Sequence, residues 1–327
     1  MTISVLIPCY KRVDDLRRNL DALRLQERLP EQVVLTVRET DDAIRGFLKD
    51  YDPSPLSLTI ATAPETGGFI SAINAGLQEI TGEITVLTDD DIEAHPDWIR
   101  KIEDYFLSDS TIGGVGGRDI QLHESDATKS EVGIFKWWGN VVGNHHIGKG
   151  EARLVDVIKG ANCAYRTAPF RVVGFDTRLL GYGAQVHTEV VLGLCFRRAG
   201  WKIIYDPAVL INHYPGVRFD IDQRGRFNEE AHFHQSHNRA MAVWEHLKPV
   251  QRIVFFFWAI LIGNRVDPGL VQTLRLFRSE PYVFRKAQVS LRGLFAGIRT
   301  ANRTKRPETF SPDAATASPV PASAIRR

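Results

Sequence analysis

Three consecutive aspartates, Asp89, Asp90 and Asp91, follow a short apolar run that ends in Val86 and Leu87. Neighbouring carboxylates repel one another, so a fold keeps them together where water or a cation compensates their charge. Residues i and i+2 of an extended segment point to the same side, which directs Asp89 and Asp91 at one point. Mg²⁺ and Mn²⁺ prefer oxygen ligands of this kind. The pattern predicts a divalent-cation site, with an acidic loop or a helix N-cap as the alternative.

The elements around the aspartates alternate between strand-like and helix-like segments. Strand-like apolar runs occupy residues 3–8, 33–37, 56–62 and 83–88. Apolar residues at helical spacing occupy 14–26, 67–80 and the segment that starts at Pro96. This order predicts an α/β fold with a doubly wound, mostly parallel sheet and flanking helices. Such sheets bind ligands at the carboxyl ends of their strands, where the aspartates stand.

In the second half of the chain, the sequence predicts fewer strands and more helices than in the first half. Helices are expected at 187–200 and 226–247, two strand-like runs, KIIYDP and AVLINH, within 202–213, and an irregular stretch at 118–155. From about Pro312 onward Pro, Ala and Ser dominate, a composition typical of disorder. The predicted organisation is a catalytic domain at 1–215, a helical C-terminal extension packed on it at 216–300, and a disordered tail at 301–327.

Charge is distributed unevenly along the chain. The net charge of +2 over 327 residues is too small to indicate a nucleic-acid partner. Residues 265–327 contain twelve Lys and Arg against four Asp and Glu, so residues 1–264 carry −6. The acidic part therefore holds any cation site, and the basic part is either solvated or faces an anionic surface. The three cysteines form no CxxC pair, which favours a reducing compartment such as the cytoplasm.

The most apolar stretch, at 253–263, falls short of the roughly 20 residues that a membrane-spanning helix needs. It predicts a helix that is either buried or lies on an anionic membrane, since Arg265 and the basic tail follow it. We accordingly expect a cytoplasmic protein, with peripheral contact at the inner face of the cell membrane as a further expectation.

Seven short motifs follow one another along residues 3 to about 215: SVLIPCYKR at the start, INAG at 73–76, TVLTDDD at 85–91, GANCAYR at 160–166, GFD at 174–176, the acidic helix start at 187–190, and NH at 212–213. Together they resemble the family 2 glycosyltransferases, which are nucleotide-sugar enzymes with the GT-A fold. The resemblance implies an inverting bacterial transferase of cell-surface polysaccharide or glycoconjugate synthesis. It implies a nucleotide-sugar donor, first of all a UDP-sugar, a saccharide or lipid-linked acceptor, and Mn²⁺ or Mg²⁺.

The resemblance also assigns roles to the acids. Asp89 and Asp91 match the family's DxD element, in which the first acid contacts the ribose or base side of the nucleotide and the last binds the metal. His213 matches a histidine that assists metal or diphosphate binding, although a histidine after a strand is commonly structural. A divalent ion would stabilise the negative charge that the nucleoside diphosphate gathers as its sugar departs.

Further residues are expected to bind the nucleotide sugar. The residues that would line its pocket are Pro8, Tyr10, Asp90 and Asn162. After the second strand the family has an acidic pair and Gly-Ser, whereas this chain has VRETDD. Arg38 and Glu39 are the candidates for base or phosphate contacts there, with solvated loop charges as the alternative.

The general base of the family is the Asp of a Glu-Asp pair that opens a helix near the acceptor. The corresponding stretch here is HTEVV, so Glu189 takes the place of the base and Thr188 that of the preceding acid. A glutamate can accept the proton of a sugar hydroxyl, although a dipole-stabilised acid at a helix start is the structural alternative. Trp137 and Trp138 are expected either to contact the acceptor or to anchor the core.

Two other functions remain open at this level. A nucleotidyltransferase would need a Gly-rich basic loop after the first strand, and PCYKRVDDL offers Lys11 and Arg12 but no glycine. A catalytically silent GT-A-like protein that binds glycans or membranes is the second alternative, because the Thr188-Glu189 pair departs from the family pattern.

Overall fold

The computed structural model describes residues 1–121, 126–217, 219–223 and 226–317. The strands are β1 (Ile3–Pro8), β2 (Gln32–Arg38), β3 (Leu58–Ala63), β4 (Ile84–Leu87), β5 (Ile92–Ala94), β6 (Ile112–Gln121), β7 (Ile134–Phe135), β8 (Val141–Val142), β9 (Arg153–Leu154), β10 (Cys163–Arg166) and β11 (Lys202–His213). The helices are α1 (Val13–Arg24), α2 (Asp42–Asp50), α3 (Gly68–Glu79), α4 (Trp98–Ser108), α5 (Thr167–Val173), α6 (Thr188–Arg198), α7 (Glu229–His246), α8 (Pro249–Leu261), α9 (Leu270–Leu276), α10 (Val283–Arg303) and α11 (Pro312–Ala317).

One mixed sheet of nine strands organises the first two thirds of the chain. Its order is β3-β2-β1-β4-β10-β6-β11-β5, with β9 paired to β11 beside this path. The strands β1 to β4, β6 and β11 run in one direction, whereas β10 is inserted antiparallel between β4 and β6. Strands β7 and β8 form a separate hairpin. The predicted α/β fold with a mostly parallel sheet is confirmed.

Helices cover both faces of the sheet. Side chains on successive strand positions point to opposite faces, so each strand contributes to two cores. On β1, Val5 and Ile7 pack with Leu16 of α1 and Trp98 of α4. Leu6, between them, joins the core on the other face, where α3, α5 and α6 pack. Burial on both sides explains why these strands read as unbroken apolar runs.

Strand β6 is the main element that the sequence did not predict. It crosses the boundary of the stretch expected to be irregular at 118–155, and that expectation was wrong for residues 118–121. Its sequence IGGVGGRDIQ is rich in glycine and lacks the alternation that marks a strand. A Cβ at Gly117 would overlap the carbonyl oxygen of Val209, so the bare backbone permits the close approach of β11.

The C-terminal helices pack beside the sheet domain. Helix α7 packs along α10, and α8 contains most of the apolar stretch 253–263. Helix α10 continues to Arg303, and Trp201 Nε1 donates to the carbonyl oxygen of Phe310 at 2.7 Å. The predicted disordered tail therefore does not begin at 301, because an aromatic anchor holds the following segment; residues 318–327 lie outside the described part. None of the described helices is both long and apolar enough to cross a membrane.

Candidate active site

The three aspartates follow the carboxyl end of β4, beside the carboxyl end of β1. Thr88 closes the strand, since its backbone N–H donates to the Leu6 carbonyl at 3.2 Å and its hydroxyl to the Ala161 carbonyl at 2.9 Å. The chain then enters β5, which pairs antiparallel with the end of β11 so that Ile92 lies opposite His213. This pairing brings the acids and His213 together.

Asp91 is buried and makes contacts in several directions. Its Oδ2 accepts from Arg12 Nη1 at 2.7 Å and from the Gly216 backbone N–H at 2.8 Å. Its Oδ1 lies 3.3 Å from Nε2 of His213. Burial alone would raise the pKa of Asp91, but the contact with His213 and the charge of Arg12 lower it to about 2. Asp91 is therefore an ionised carboxylate held in a fixed direction.

Asp89 and Asp90 have different surroundings. Asp90 is fully buried, forms an ion pair with Arg12, and accepts from the Tyr10 backbone N–H at 3.3 Å. Burial raises the pKa of Asp90, and the charge of Arg12 opposes that rise. Asp89 is half-buried, and burial followed by the charge of Asp91 raises its pKa to about 6. Asp90 thus faces Arg12, and the predicted nucleotide contact would require that pair to open.

His213 lies between two acids. Its Nδ1 is 3.3 Å from Oδ2 of Asp119, a fully buried residue of β6 that also forms an ion pair with Lys159. Burial by itself would lower the pKa of His213, but Asp119 and Asp91 raise it to about 9. Burial would likewise raise the pKa of Asp119, yet His213 and Lys159 hold it well below its usual range.

Asp89, Asp91 and His213 form a set that fits a metal ion. Each offers one ligand atom, and these atoms lie within 4.8 Å of one another. Two carboxylate oxygens with one imidazole nitrogen suit Mn²⁺ or Mg²⁺ in a site that leaves positions for phosphate oxygens and water. Nε2 of His213 must lose its proton to serve as a ligand, so metal binding there would release a proton.

Glu189 stands at the start of α6. Its Oε1 accepts from the Gly160 backbone N–H at 3.2 Å and its Oε2 from the Thr188 hydroxyl at 2.9 Å. The side chain is half-buried, and its charge is among those that raise the pKa of Asp89. The predicted base therefore lies near enough to Asp89 for the two charges to interact. Two hydrogen-bond donors orient its carboxylate.

The predicted nucleotide residues at the ends of β1 and β2 also meet. The guanidinium of Arg38 lies 4.4 Å from the ring centroid of Tyr10, and the rings of Tyr10 and Phe219 meet edge to face at 5.9 Å between centroids. Pro8 is half-buried at the end of β1, and Glu39 is exposed. Tyr10 and Arg38 thus form a stacked pair beside the aspartates, and such a pair suits the face of a base.

Two predictions are not supported by the contacts. Asn162 is fully buried, and its amide binds the carbonyls of Arg118 and Val209 while accepting from Trp98 Nε1 at 2.8 Å. With every polar atom occupied, Asn162 joins elements of the fold and does not present itself to a nucleotide.

Trp137 and Trp138 form an edge-to-face pair 6.4 Å apart on the β7–β8 hairpin. A Cβ on the next residue, Gly139, would meet Val243 and Phe255, so the hairpin tip packs on the C-terminal helices. The contact of this pair with an acceptor stays a prediction.

Sequence reasoning missed three residues of the site, Arg12, Asp119 and Lys159. Arg12 follows the Tyr-Lys of the first motif, just after β1. Because β1 and β4 are parallel neighbours, their carboxyl ends lie side by side, and a basic residue facing the aspartates could have been expected there. Asp119 follows the glycine run of β6, and Lys159 immediately precedes GANCAYR. No local pattern marks either of them, because their meeting depends on the register of β6, β10 and β11.

Comparison with solved structures identifies the class of this fold. The chain matches S. aureus TarS 1–349, solved in complex with UDP-GlcNAc, at a TM-score of 0.55 and 14% identity, over 92% of this chain and 92% of that one. It also matches GalNAc-T7, solved with UDP, GalNAc and Mn²⁺, at a TM-score of 0.60 and 14% identity, over 89% of this chain and 57% of that one. The fold is therefore of the GT-A-like glycosyltransferase class.

Sequence relatives agree with this class. The chain is 24% identical over 223 residues to a glucosyl-dolichyl phosphate glucuronosyltransferase of Haloferax volcanii, covering 65% of this chain and 69% of that protein. It is 26% identical over 138 residues to the uncharacterized glycosyltransferase YwdF of Bacillus subtilis, covering 40% of this chain and 48% of that protein. The model of glycosyl transferase family 2 matches residues 4–174, more than half of the chain. The chain belongs to glycosyl transferase family 2 and is a glycosyltransferase.

Proposed function

We propose that this glycosyltransferase is a metal-dependent, inverting enzyme that transfers a sugar from a nucleoside-diphosphate sugar to an acceptor hydroxyl. The observation that carries the proposal is the convergence of Asp89, Asp91 and His213 within 4.8 Å, with Glu189 close enough for its charge to act on Asp89. Such a group of oriented acids combines a cation site with a base.

In this proposal each residue has a separate task. Glu189, oriented by Gly160 and Thr188, takes the proton of the acceptor hydroxyl. The hydroxyl oxygen bonds to the anomeric carbon as the bond from that carbon to the diphosphate breaks on the opposite face, which inverts the configuration. Tyr10 and Arg38 bind the base of the donor. A bound Mn²⁺ or Mg²⁺ would stabilise the negative charge of the leaving diphosphate.

The relatives support the proposed donor and acceptor classes. TarS and GalNAc-T7 are seen with UDP or a UDP-sugar, which supports a UDP-sugar donor. The name of the Haloferax volcanii protein specifies a sugar on a lipid phosphate, which supports a saccharide or lipid-linked acceptor. We place the reaction in bacterial cell-surface polysaccharide or glycoconjugate synthesis, in the cytoplasm at the inner face of the cell membrane, with residues 1–215 as the catalytic domain and 216–300 as its helical extension.

A panel of nucleotide sugars tests this function directly. Hydrolysis or transfer is measured with and without Mn²⁺ for the parent, for Asp91→Asn, and for Glu93→Gln as a matched control. Glu93 lies two residues further on, where it binds the Tyr214 hydroxyl at 3.0 Å. We expect Mn²⁺ to stimulate the parent and the control, and Asp91→Asn to lose about 100-fold or more. An Asp91→Asn enzyme that keeps the parent's response to Mn²⁺ would refute the metal role.

Binding measurements separate this proposal from a catalytically silent protein of the same fold. Titration calorimetry with UDP in the presence of Mn²⁺ should show heat that disappears when the metal is chelated. A folded protein without metal-linked UDP binding, inactive on every donor of the panel, would support the silent alternative.

A further inference from the structure

Exposed apolar side chains are concentrated on the C-terminal helices. Of the 24 large hydrophobic side chains that are exposed in the described residues, fourteen lie between Val250 and Phe295. That stretch is only 46 residues of a chain of 327. Soluble monomers rarely expose contiguous apolar patches above a few hundred Å², so such a concentration indicates an interaction surface.

Helix α8 carries an outward stripe along its whole length. Val250, Ile253, Phe257 and Leu261 are 69%, 59%, 55% and 49% exposed. Their spacing places them on one face of the helix, whereas Phe255 points into the core between the helices and is 2% exposed. A helix that is apolar on both faces is typical of one covered on both sides.

Helices α9 and α10 extend this stripe into a continuous surface. The rings of Phe256 on α8 and Phe295 on α10 meet edge to face at 5.8 Å. Between the helices lies an open cavity of about 450 Å³, large enough for a lipid chain to enter. The side chains that are exposed at the surface and also line this cavity are Leu270, Leu274, Phe284 and Leu291.

The segment that carries this surface is basic, although its Arg285 is paired with Glu229 of α7. Residues 249–303 contain nine Lys and Arg and only two acids, Asp267 and Glu280. Both acids are already paired: Asp267 with Arg239 at 2.9 Å, and Glu280 with Arg265 at 3.1 Å. Arg265 is nonetheless 77% exposed, and Arg275 and Arg278 of the α9 region are exposed beside the apolar side chains. We name the exposed apolar and basic side chains of α8, α9 and α10 the apolar-basic face.

We propose that the apolar-basic face docks on an anionic lipid bilayer. In this arrangement the exposed Leu, Ile and Phe side chains enter the interface, and the arginines contact lipid phosphates. The charge selects this occupant, because a second copy of the chain would bring two strongly positive faces together in a symmetric dimer. The inference extends the proposed location at a membrane and does not require the transfer reaction.

Co-sedimentation with lipid vesicles tests the docking. The full chain is mixed with vesicles of phosphatidylcholine alone or of phosphatidylcholine with phosphatidylglycerol. We expect binding to the anionic vesicles, weaker binding to the neutral ones, and a decline as salt is raised. The variant Ile253→Ser/Phe257→Ser and the variant Arg275→Ala/Arg278→Ala should each bind about tenfold more weakly or worse.

The control variant carries the same apolar change elsewhere. Leu25→Ser/Leu107→Ser alters side chains that are 73% and 62% exposed outside the apolar-basic face, and it should bind like the parent. Circular dichroism confirms that each variant is folded, and donor hydrolysis without vesicles reports the active site separately. A parent protein that binds anionic vesicles but hydrolyses no donor would count against the proposed catalysis and not against the docking.

Two results would overturn the docking. One is a parent that ignores anionic vesicles, or variants of the apolar-basic face that bind them as tightly as the parent. The other is a parent dimer that becomes monomeric with Ile253→Ser/Phe257→Ser and does not bind vesicles, which would assign the face to a second copy of the chain.

Discussion

The imidazole Nδ1 of His213 lies 3.3 Å from the carboxylate Oδ2 of Asp119, although 94 residues separate them along the chain. Both residues sit near the carboxyl ends of two parallel strands, β6 and β11, in which His213 lies opposite Gln121. The contact leaves Nε2 directed at Asp91. Asp119 therefore orients the ring of a proposed metal ligand, in the way that carboxylates behind metal-binding histidines do.

Replacing Asp119 with Asn should weaken metal-dependent activity without abolishing the fold. We expect the Mn²⁺ concentration for half-maximal activity to rise about 10- to 100-fold, because the ring of His213 loses its anionic partner. Asp109→Asn is the control, since Asp109 pairs with Lys202 at 2.7 Å at the other end of β6. An unchanged Mn²⁺ dependence in folded Asp119→Asn enzyme would remove this positioning role.

Glu189→Gln should separate donor binding from transfer. The amide oxygen can still accept from Gly160, but it cannot take a proton, so UDP binding should persist while transfer falls about 100-fold or more. Calorimetry and single-turnover transfer measure the two properties. Thr188→Val, which removes the hydroxyl at 2.9 Å and leaves the carboxylate, should have the smaller effect. Equal turnover by Glu189→Gln and parent would exclude Glu189 as the base.

The close approach at β6 gives a prediction about stability. Gly117→Ala should lower the free energy of unfolding by about 1–3 kcal/mol, because the added methyl overlaps the Val209 carbonyl and crowds the Asn162 amide at 2.6 Å. Gly46→Ala is the matched comparison: it lies inside α2 with open space around it and should stabilise by about 0.5–1 kcal/mol. Urea unfolding of both variants measures this difference, and two equal midpoints would contradict it.

Buried histidines should make the protein sensitive to mild acid. Burial lowers the pKa of His145, whose Nε2 is 2.9 Å from the Val157 carbonyl, to about 4. Between the unfolded pKa of about 6.5 and this value, the unfolded chain binds a proton that the folded chain does not, so stability falls as the pH falls. The loss attributable to His145 amounts to about 3 kcal/mol across that window.

His145→Gln isolates this contribution from those of other histidines. The free energy of unfolding is measured by urea at neutral pH and at about pH 5 for parent and variant. The variant should lose less stability between the two conditions than the parent does. If the two proteins show the same pH dependence, His145 is not neutral in the folded state.

The parts of the fold that sequence alone predicted are those with strong local patterns. The apolar runs of β1, β2 and β4 and the helical spacing of α1 and α3 are local properties, and the structure has these elements close to the expected bounds. Helix α2 went unpredicted, because its cap, Asp41 accepting from Ile44, sits in a run of charges that looked like loop. Strand β6 went unpredicted because its glycines replace the alternating pattern.

The site shows the same division. Asp89, Asp91 and His213 could be named from the resemblance, and the structure brings them together. Asn162 belongs to a matching motif, yet its side-chain amide is already hydrogen-bonded to Trp98 and to two backbone carbonyls. Asp119 and Lys159 depend on strand register over long sequence separations, which no local pattern encodes.

The position of β5 at the end of the sheet has a consequence for biosynthesis. This strand follows the aspartates directly, but its sheet partner is β11, at residues 211–213, about 120 residues later. During translation the first four strands can pair with one another before β11 has left the ribosome. Strand β5, which directly follows the aspartates, has no partner strand until β11 has been made. The nascent chain should therefore form the four-stranded part of its sheet early and gain its affinity for metal ions only in a late, separate step.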